Sequence, residues 1–362
     1  MISSRKQSWS LLLTLGCTLL ACGNSGEDFE PWVLDELTAE EGISLRVPEF
    51  EVMPGRESQN CYFVRVPDLA AGDDLWIDRV VIAMNPGSHH MNVFRVKTIG
   101  RLDPADGVPV TISGLPATFI EGGDDWQTHP CWDSSAWADW PLVANLQEST
   151  VEEPISTWQL PETAAIRLTP GELLMIQTHY VNTTDQPTLF GARVGLNFYR
   201  YTRSAPAVEL GSLFATQQSL RVCRSRPNPV YSGTCRFPNA VTITAANGHF
   251  HSRGERFSIY PWDGSSTQHP DAATMFYESK DWSHPPMTTD IGVAAPANTG
   301  IWWDCQYKWR EPTESTCAEV DAKDPEQMND CCYTFGGITD VGEHCNVFLY
   351  YYPKVETDVF CL

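Results

Sequence analysis

The 362-residue chain predicts an all-β fold. Helical periodicity is nearly absent, while short apolar or alternating runs recur along the whole length. Clusters of Gly, Pro, Asn and Asp separate these runs, as at Asn85-Pro86-Gly87 and Ala105-Asp106-Gly107. The 26 prolines and 25 glycines are spread evenly, which suits many short strands joined by turns, the pattern of a sandwich or barrel. In chain order the runs fall at 75–84, 91–96, 173–181, 194–201, 240–245, 257–261, 300–309 and 346–352. Several of the 13 tryptophans, including Trp302, Trp303 and Trp309, sit near strand ends and are expected to supply core and rim packing.

The first 21 residues read as a targeting segment rather than as part of the fold. Arg5 and Lys6 form its charged region and Leu11 to Leu20 its apolar stretch. Leu19-Leu20-Ala21-Cys22 resembles the cleavage box of bacterial lipoproteins, so 1–21 is expected to be a lipoprotein signal peptide. Cys22 would then be acylated and hold the chain on a membrane, on its periplasmic or cell-surface side. Residues 22–45 would be a tether. The rest is long enough for two domains, divided near Arg203-Ser204-Ala205-Pro206 into 46–203 and 204–362. The segment from Glu311 to Asp330 reads as a polar inserted loop. The net charge of −22 disfavours nucleic acid and anionic surfaces as partners. Ten cysteines follow Cys22, an even number that an exported chain would use in disulfides. Thiolate zinc at Cys317, Cys331 and Cys332 is the rival, but no CxxC pair occurs.

Six of the nine histidines form two sets, each a close pair plus a distant single. One is His89-His90 with His179; the other is His249 and His251 with His344. Neutral imidazole suits copper, zinc, iron and nickel, and three ligands leave coordination positions open. Consecutive strand residues point to opposite faces, so His89 and His90 can share an ion only at a bulge or a strand end. Gly87 just upstream would ease that distortion. His249 and His251 project to one face of a strand, with Gly248 and Gly254 allowing close packing beside them. His129, His269 and His284 read as surface or locally bonded residues. Serine-hydrolase, Walker and Rossmann patterns are absent.

Four segments occur in the order found in the copper type II, ascorbate-dependent monooxygenases. They are Gly87-Ser88-His89-His90-Met91, Gln177-Thr178-His179-Tyr180, His249-Phe250-His251, and Gly336-Gly337-Ile338-Thr339 through Glu343-His344-Cys345. Trp303-Asp304-Cys305-Gln306-Tyr307 and Tyr350-Tyr351-Tyr352-Pro353 are also similar to that family's C-terminal signatures. The resemblance runs from Cys61 to the C-terminus. It implies two jelly-roll-like antiparallel β-sandwich domains facing each other across an open, solvent-filled cleft, with two coppers per chain. His89, His90 and His179 would hold the electron-transfer copper; His249, His251 and His344 would hold the copper that meets dioxygen. Ascorbate or another reductant would supply electrons for hydroxylating a C–H bond of a small molecule. The resemblance further implies Cys61–Cys131 and Cys305–Cys345 bonds, with Cys361 tied to Cys235 or Cys223, and sets Gln177 between the metals.

Departures from the family pattern bear on activity. His344 stands where the family has methionine, and imidazole suits Cu(II) and Zn(II) where a thioether favours Cu(I). A non-catalytic copper-binding or electron-transfer lipoprotein of the same fold is therefore the alternative. Asn247 replaces an arginine and Phe348 a tyrosine, while Asn346 is retained. Arginine is the natural carboxylate clamp, so a neutral or cationic substrate is expected.

Overall fold

Along Leu173–Val181 every residue but the two at the ends is buried, so both faces of this strand are covered: Leu174, Ile176 and Tyr180 fall on one face of the pleat, Met175, Gln177 and His179 on the other. The computed structural model describes residues 34–47, 50–67, 73–84, 88–96, 118–120, 140–147, 154–182, 185–190, 194–203, 207–311, 330–336, 339, 342–357 and 359–361. The leader, Cys22, Gly87, Cys131 and most of the insertion at 312–329 lie outside them. Among the described residues the regular elements are strands, apart from a 3-10 turn at Ala272–Thr274. The fold is all-β and sandwich-like, built from several mainly antiparallel sheets.

In the first half, one sheet orders Gly42–Arg46, Gly195–Arg200, Leu75–Ala83, Ala164–Leu168 and Val208–Glu209, with Ile155–Gln159 also on Leu75–Ala83. Its partner orders Thr118–Ile120, Glu57–Arg65, Leu173–Val181, Ser88–Arg95 and Leu142–Leu146. Ile77, Val80, Ile166 and Phe198 from the former share one core with Tyr62, Val93, Leu146 and Ile176 from the latter. The second half repeats this plan. One sheet orders Val293–Ala295, Val241–His249, Asn346–Tyr352, Gly211–Thr216 and Val359–Cys361; the other orders Val230–Arg236, Gly300–Tyr307, Gly254–Trp262 and Tyr277–Ser279. Leu213, Ile243, Ile259, Trp303 and Leu349 fill the core between them.

A third contact unites the halves. On Asn346–Tyr352, Val347, Leu349 and Tyr351 point into the second core, whereas Phe348 and Tyr350 join the first. Gly211–Thr216 divides likewise, Leu213 and Ala215 one way and Phe214 the other, and Ala245 joins the first core. The second half therefore lays an outer sheet face on the first half. Residues 32–362 form one compact unit.

Disulfides staple the second half. Cys305–Cys345 and Cys235–Cys361 are formed, and Cys223 pairs with Cys332 directly across two strands. Cys61 and Cys331 are also disulfide-bonded. Every described cysteine is thus spent in a disulfide, which places the chain in an oxidising compartment and removes the thiolate-zinc rival. No helix among the described residues is long and apolar enough to cross a membrane.

Gly248 and Gly254 serve the core rather than the space beside the histidines. A Cβ on Gly248 would sit 2.3 Å from the Phe257 ring, and one on Gly254 1.8 Å from Phe250. Both rings are fully buried and lie stacked 6.0 Å apart. Gly248→Ala should therefore destabilise the protein by about 1–3 kcal/mol through overpacking, read as a lower urea midpoint with an unchanged slope.

Candidate metal centre

A bulge brings His89 and His90 to one place. His179 pairs with His90, yet the next residue, Tyr180, pairs with Ser88, so His89 is the extra residue of the ladder. Such an insertion turns a side chain that regular pleating would send to the opposite face. The rings of His89, His90 and His179 then lie 5.0–5.3 Å apart, and one ligand atom from each falls within 4.8 Å of the others. His249 and His251 leave the end of Val241–His249, and their ring centroids lie 5.2 Å apart. The His344 ring lies beside them, its centroid 4.4 Å from His251 and 5.2 Å from His249, but the ligand atoms that close within 4.8 Å of His249 and His251 come from His89 and not from His344. Its chain neighbour Cys345 is bonded to Cys305, and Tyr307 donates a hydrogen bond to the His344 carbonyl.

The two trios are not separate. His89 lies 4.9 Å from His249 and 5.7 Å from His251, and His90 lies 5.3 Å from His249. Six imidazoles from both halves make one cluster, with no ring more than 5 % exposed. Neutrality permits this. Burial, reinforced by the neighbouring imidazoles, holds His89, His90, His249 and His344 well below the usual histidine range. Burial likewise lowers His251 to about 4, although its bond to the Gly342 carbonyl and the nearby Glu57 oppose the shift. His89 Nε2, His90 Nδ1, both nitrogens of His249, His251 Nε2 and His344 Nδ1 are buried without a hydrogen-bond partner. Unpaired buried nitrogens are costly and are the lone pairs a metal ion takes. The donor set fits a copper- or zinc-type cation.

Polar groups around the rings fix their orientation. His251 Nδ1 lies 3.0 Å from the Gly342 carbonyl, leaving Nε2 as its donor atom. His179 Nε2 lies 2.9 Å from the Glu57 carboxylate, leaving Nδ1. Glu57 also accepts from the Thr339 amide at 3.3 Å and from its hydroxyl. Burial would raise Glu57, but its hydrogen bonds to His179 and the Thr339 hydroxyl oppose it and the group is lowered overall. The Thr339 carbonyl accepts from Arg253 at 2.5 Å, and Arg253 lies 3.8 Å from Glu343. Glu343 in turn accepts the amides of His251 and Arg253 at 3.0 and 2.9 Å. Burial pushes Glu343 up to about 7 against these bonds. One polar chain thus runs from His179 to His251 through Glu57, Thr339, Arg253 and Glu343.

Gln177 is buried on the His179 face, bonds His90, and accepts from Asn92 at 3.0 Å. Asn247 donates to the Pro285 and Pro286 carbonyls at 2.9 and 3.1 Å. Phe348 lies 6.4 Å from the His249 ring, and Asn346 is buried opposite His249 in the ladder. Sequence reasoning missed Glu57, Thr339 and Arg253, whose roles arise only from pairings far apart in the chain. Cys223, Asp330 and Cys332 also cluster, but both sulfurs are in the disulfide.

No family model matches the chain, and no curated protein does. Among solved structures, a tandem CBM22-1–CBM22-2 domain of Paenibacillus barcinonensis Xyn10C aligns at 8 % identity, covering 84 % of this chain and 82 % of that one, with TM-score 0.17. An infectious bursal disease virus structure aligns at 6 % identity, covering 91 % and 80 %, also with TM-score 0.17. Likeness at that level bears on neither fold nor function.

Glu57→Gln should weaken Cu(II) binding by the cluster about 10–100-fold, the usual effect of losing a ligand's hydrogen-bond partner; calorimetric titration measures it. A second expectation concerns His269, which lies outside the cluster. Its bonds to the buried Asp304 at 2.5 Å and to the Pro270 carbonyl at 2.6 Å raise its pKa against partial burial. Stabilisation from a raised histidine is complete below the ordinary value of about 6.5 and fades as pH climbs through the folded value. The urea-midpoint gap between wild type and His269→Gln should therefore be wider at pH 6 than at pH 9.

Proposed function

We propose that this chain is a copper-dependent monooxygenase that hydroxylates a C–H bond of a small molecule. The observation that carries the reading is the convergence of six buried imidazoles, from four distant segments, with half of their ring nitrogens buried and unpaired. The ordered resemblance to the ascorbate-dependent copper enzymes supplies the rest. His89, His90 and His179 hold the electron-donating ion, and His249, His251 and His344 hold the ion that meets dioxygen. Copper bound there supplies the one-electron chemistry that divides dioxygen between a substrate C–H bond and water, with two electrons and two protons drawn from ascorbate or another reductant. Glu57 and the Gly342 carbonyl select which nitrogen His179 and His251 present. Asn247, Asn346 and Phe348 offer amides and a ring rather than a cation, which favours a neutral or cationic substrate over a carboxylate. Because the rings are buried, substrate entry requires the two sheet faces to part around them. Acylation at Cys22 anchors the chain on the exported side of a membrane.

His344 favours a second reading, a copper-binding or electron-transfer lipoprotein without turnover. An imidazole in that position stabilises Cu(II) and slows the return to Cu(I).

Anaerobic titration should find two coppers per chain, and ascorbate-reduced protein should consume oxygen in a substrate-dependent way. Two tightly held coppers with no turnover across a broad substrate screen would count against the enzyme. In that case, a gain of oxygen consumption on His344→Met would establish the second reading.

A further inference from the structure

The two triads of the proposed function each draw on one half of the chain, but the rings also make a third combination. His89, at the inserted position of the bulge, lies against both sets. With His249 and His251 it forms a nearly equilateral triangle, with centroid separations of 4.9, 5.7 and 5.2 Å. One ligand atom from each of these three lies within 4.8 Å of the other two, as close a grouping as His89, His90 and His179 achieve. His89 Nε2, His251 Nε2 and both nitrogens of His249 are buried and unpaired. The remaining His251 nitrogen is occupied by the Gly342 carbonyl, the outer contact that metal-bound histidines usually show. A tetrahedral ion bound at about 2.0–2.1 Å to each imidazole needs donor atoms roughly 3.4 Å apart. Small rotations of three rings therefore close the site.

We propose that His89, His249 and His251 form an inter-half metal site in which one borderline cation, Zn(II) above all, staples the two sandwiches together. Three neutral imidazoles with a fourth position open are a zinc-type donor set. The site goes beyond the oxygenase reading, because it uses a single ion, needs no redox change, and crosses the interface that substrate entry must open. It also competes with two-copper loading. His89 cannot serve both this ion and its own triad, and the same holds for His249 and His251. A chain stapled in this way is closed and idle.

The test uses zinc on the full chain. His90→Ala/His344→Ala removes one ligand from each within-half triad and spares all three residues of the staple. This variant should bind one Zn(II) per chain by calorimetry, and adding His89→Ala should weaken that binding at least 100-fold. In the wild type, one equivalent of Zn(II) should raise the thermal midpoint, and His89→Ala should abolish the rise. Zinc-edge anomalous diffraction of wild-type crystals grown with one equivalent should give a single peak bounded by His89, His249 and His251. A peak within either triad alone, or a double variant that folds but fails to bind zinc, would overturn the proposal. Neither result touches copper stoichiometry or oxygen consumption, so the staple and the oxygenase can fail independently.

Discussion

A sheet with both faces buried needs something to cover each face. Here the covering layer is another sheet whose facing residues are not purely apolar. Phe214, Phe348 and Tyr350 pack into the first half's core, yet the same interface carries Gln177, Asn92, Asn145, Asn247, Asn346 and the histidines, all at most 5 % exposed. Amides can be buried when their polar atoms are bonded, as Asn92 is in donating to Gln177 and Asn145 in accepting from the Tyr350 hydroxyl. Imidazoles can be buried together only while neutral, since six charges in contact would repel strongly at low dielectric. The depressed pKa values of His89, His90, His249, His251 and His344 and the closed interface are therefore one fact seen from two sides. The lone pairs that neutrality leaves unpaired are what would let the interface hold a metal ion.

The polar chain from His179 to His251 adds a constraint that burial alone would not supply. Glu57 belongs to the first half and Thr339 to the second, and their contact is a charge-assisted hydrogen bond between them. Through Arg253 and Glu343 the same chain fixes the backbone at His251. A shift of Glu57 would move His179 directly and His251 indirectly. The two histidine groups are thus mechanically joined, and any parting of the two halves here must break or stretch the Glu57–Thr339 contact.

Much of the strand pattern was legible because it is local. The runs at 173–181, 300–309 and 346–352 correspond to Leu173–Val181, Gly300–Tyr307 and Asn346–Tyr352. Glu57–Arg65 was missed: its N-terminal residues Glu57, Ser58, Gln59 and Asn60 are polar, and its strand character comes from pairing with Leu173–Val181. The demand for a bulge at His89 was readable from two adjacent histidines and the period of a strand. The meeting of the two trios was not, because the fusion depends on which outer sheet faces adhere. Glu57 illustrates the same limit, since its bond to His179 spans 122 residues and nothing local marks that glutamate for the role.

Disulfide usage narrows the metal chemistry further. The eight described cysteines are all oxidised to disulfides, so no described thiolate is free to bind a soft ion. The histidines are then the strongest remaining donors, helped by acids already engaged at Glu57 and Glu343. Neutral nitrogens accept both copper and zinc, and intrinsic affinity ranks copper above zinc, so selection of one over the other has to come from the shape of the site and from which ion is available. Geometry is the remaining lever. Under the proposed oxygenase, trios drawn from one half would suit ions that meet a substrate, whereas a trio drawn from both halves would suit an ion that asks only for a closed shell. The bulge at His89 leaves its ring within reach of either arrangement, so the side chain at the extra residue of the ladder would decide which of them forms.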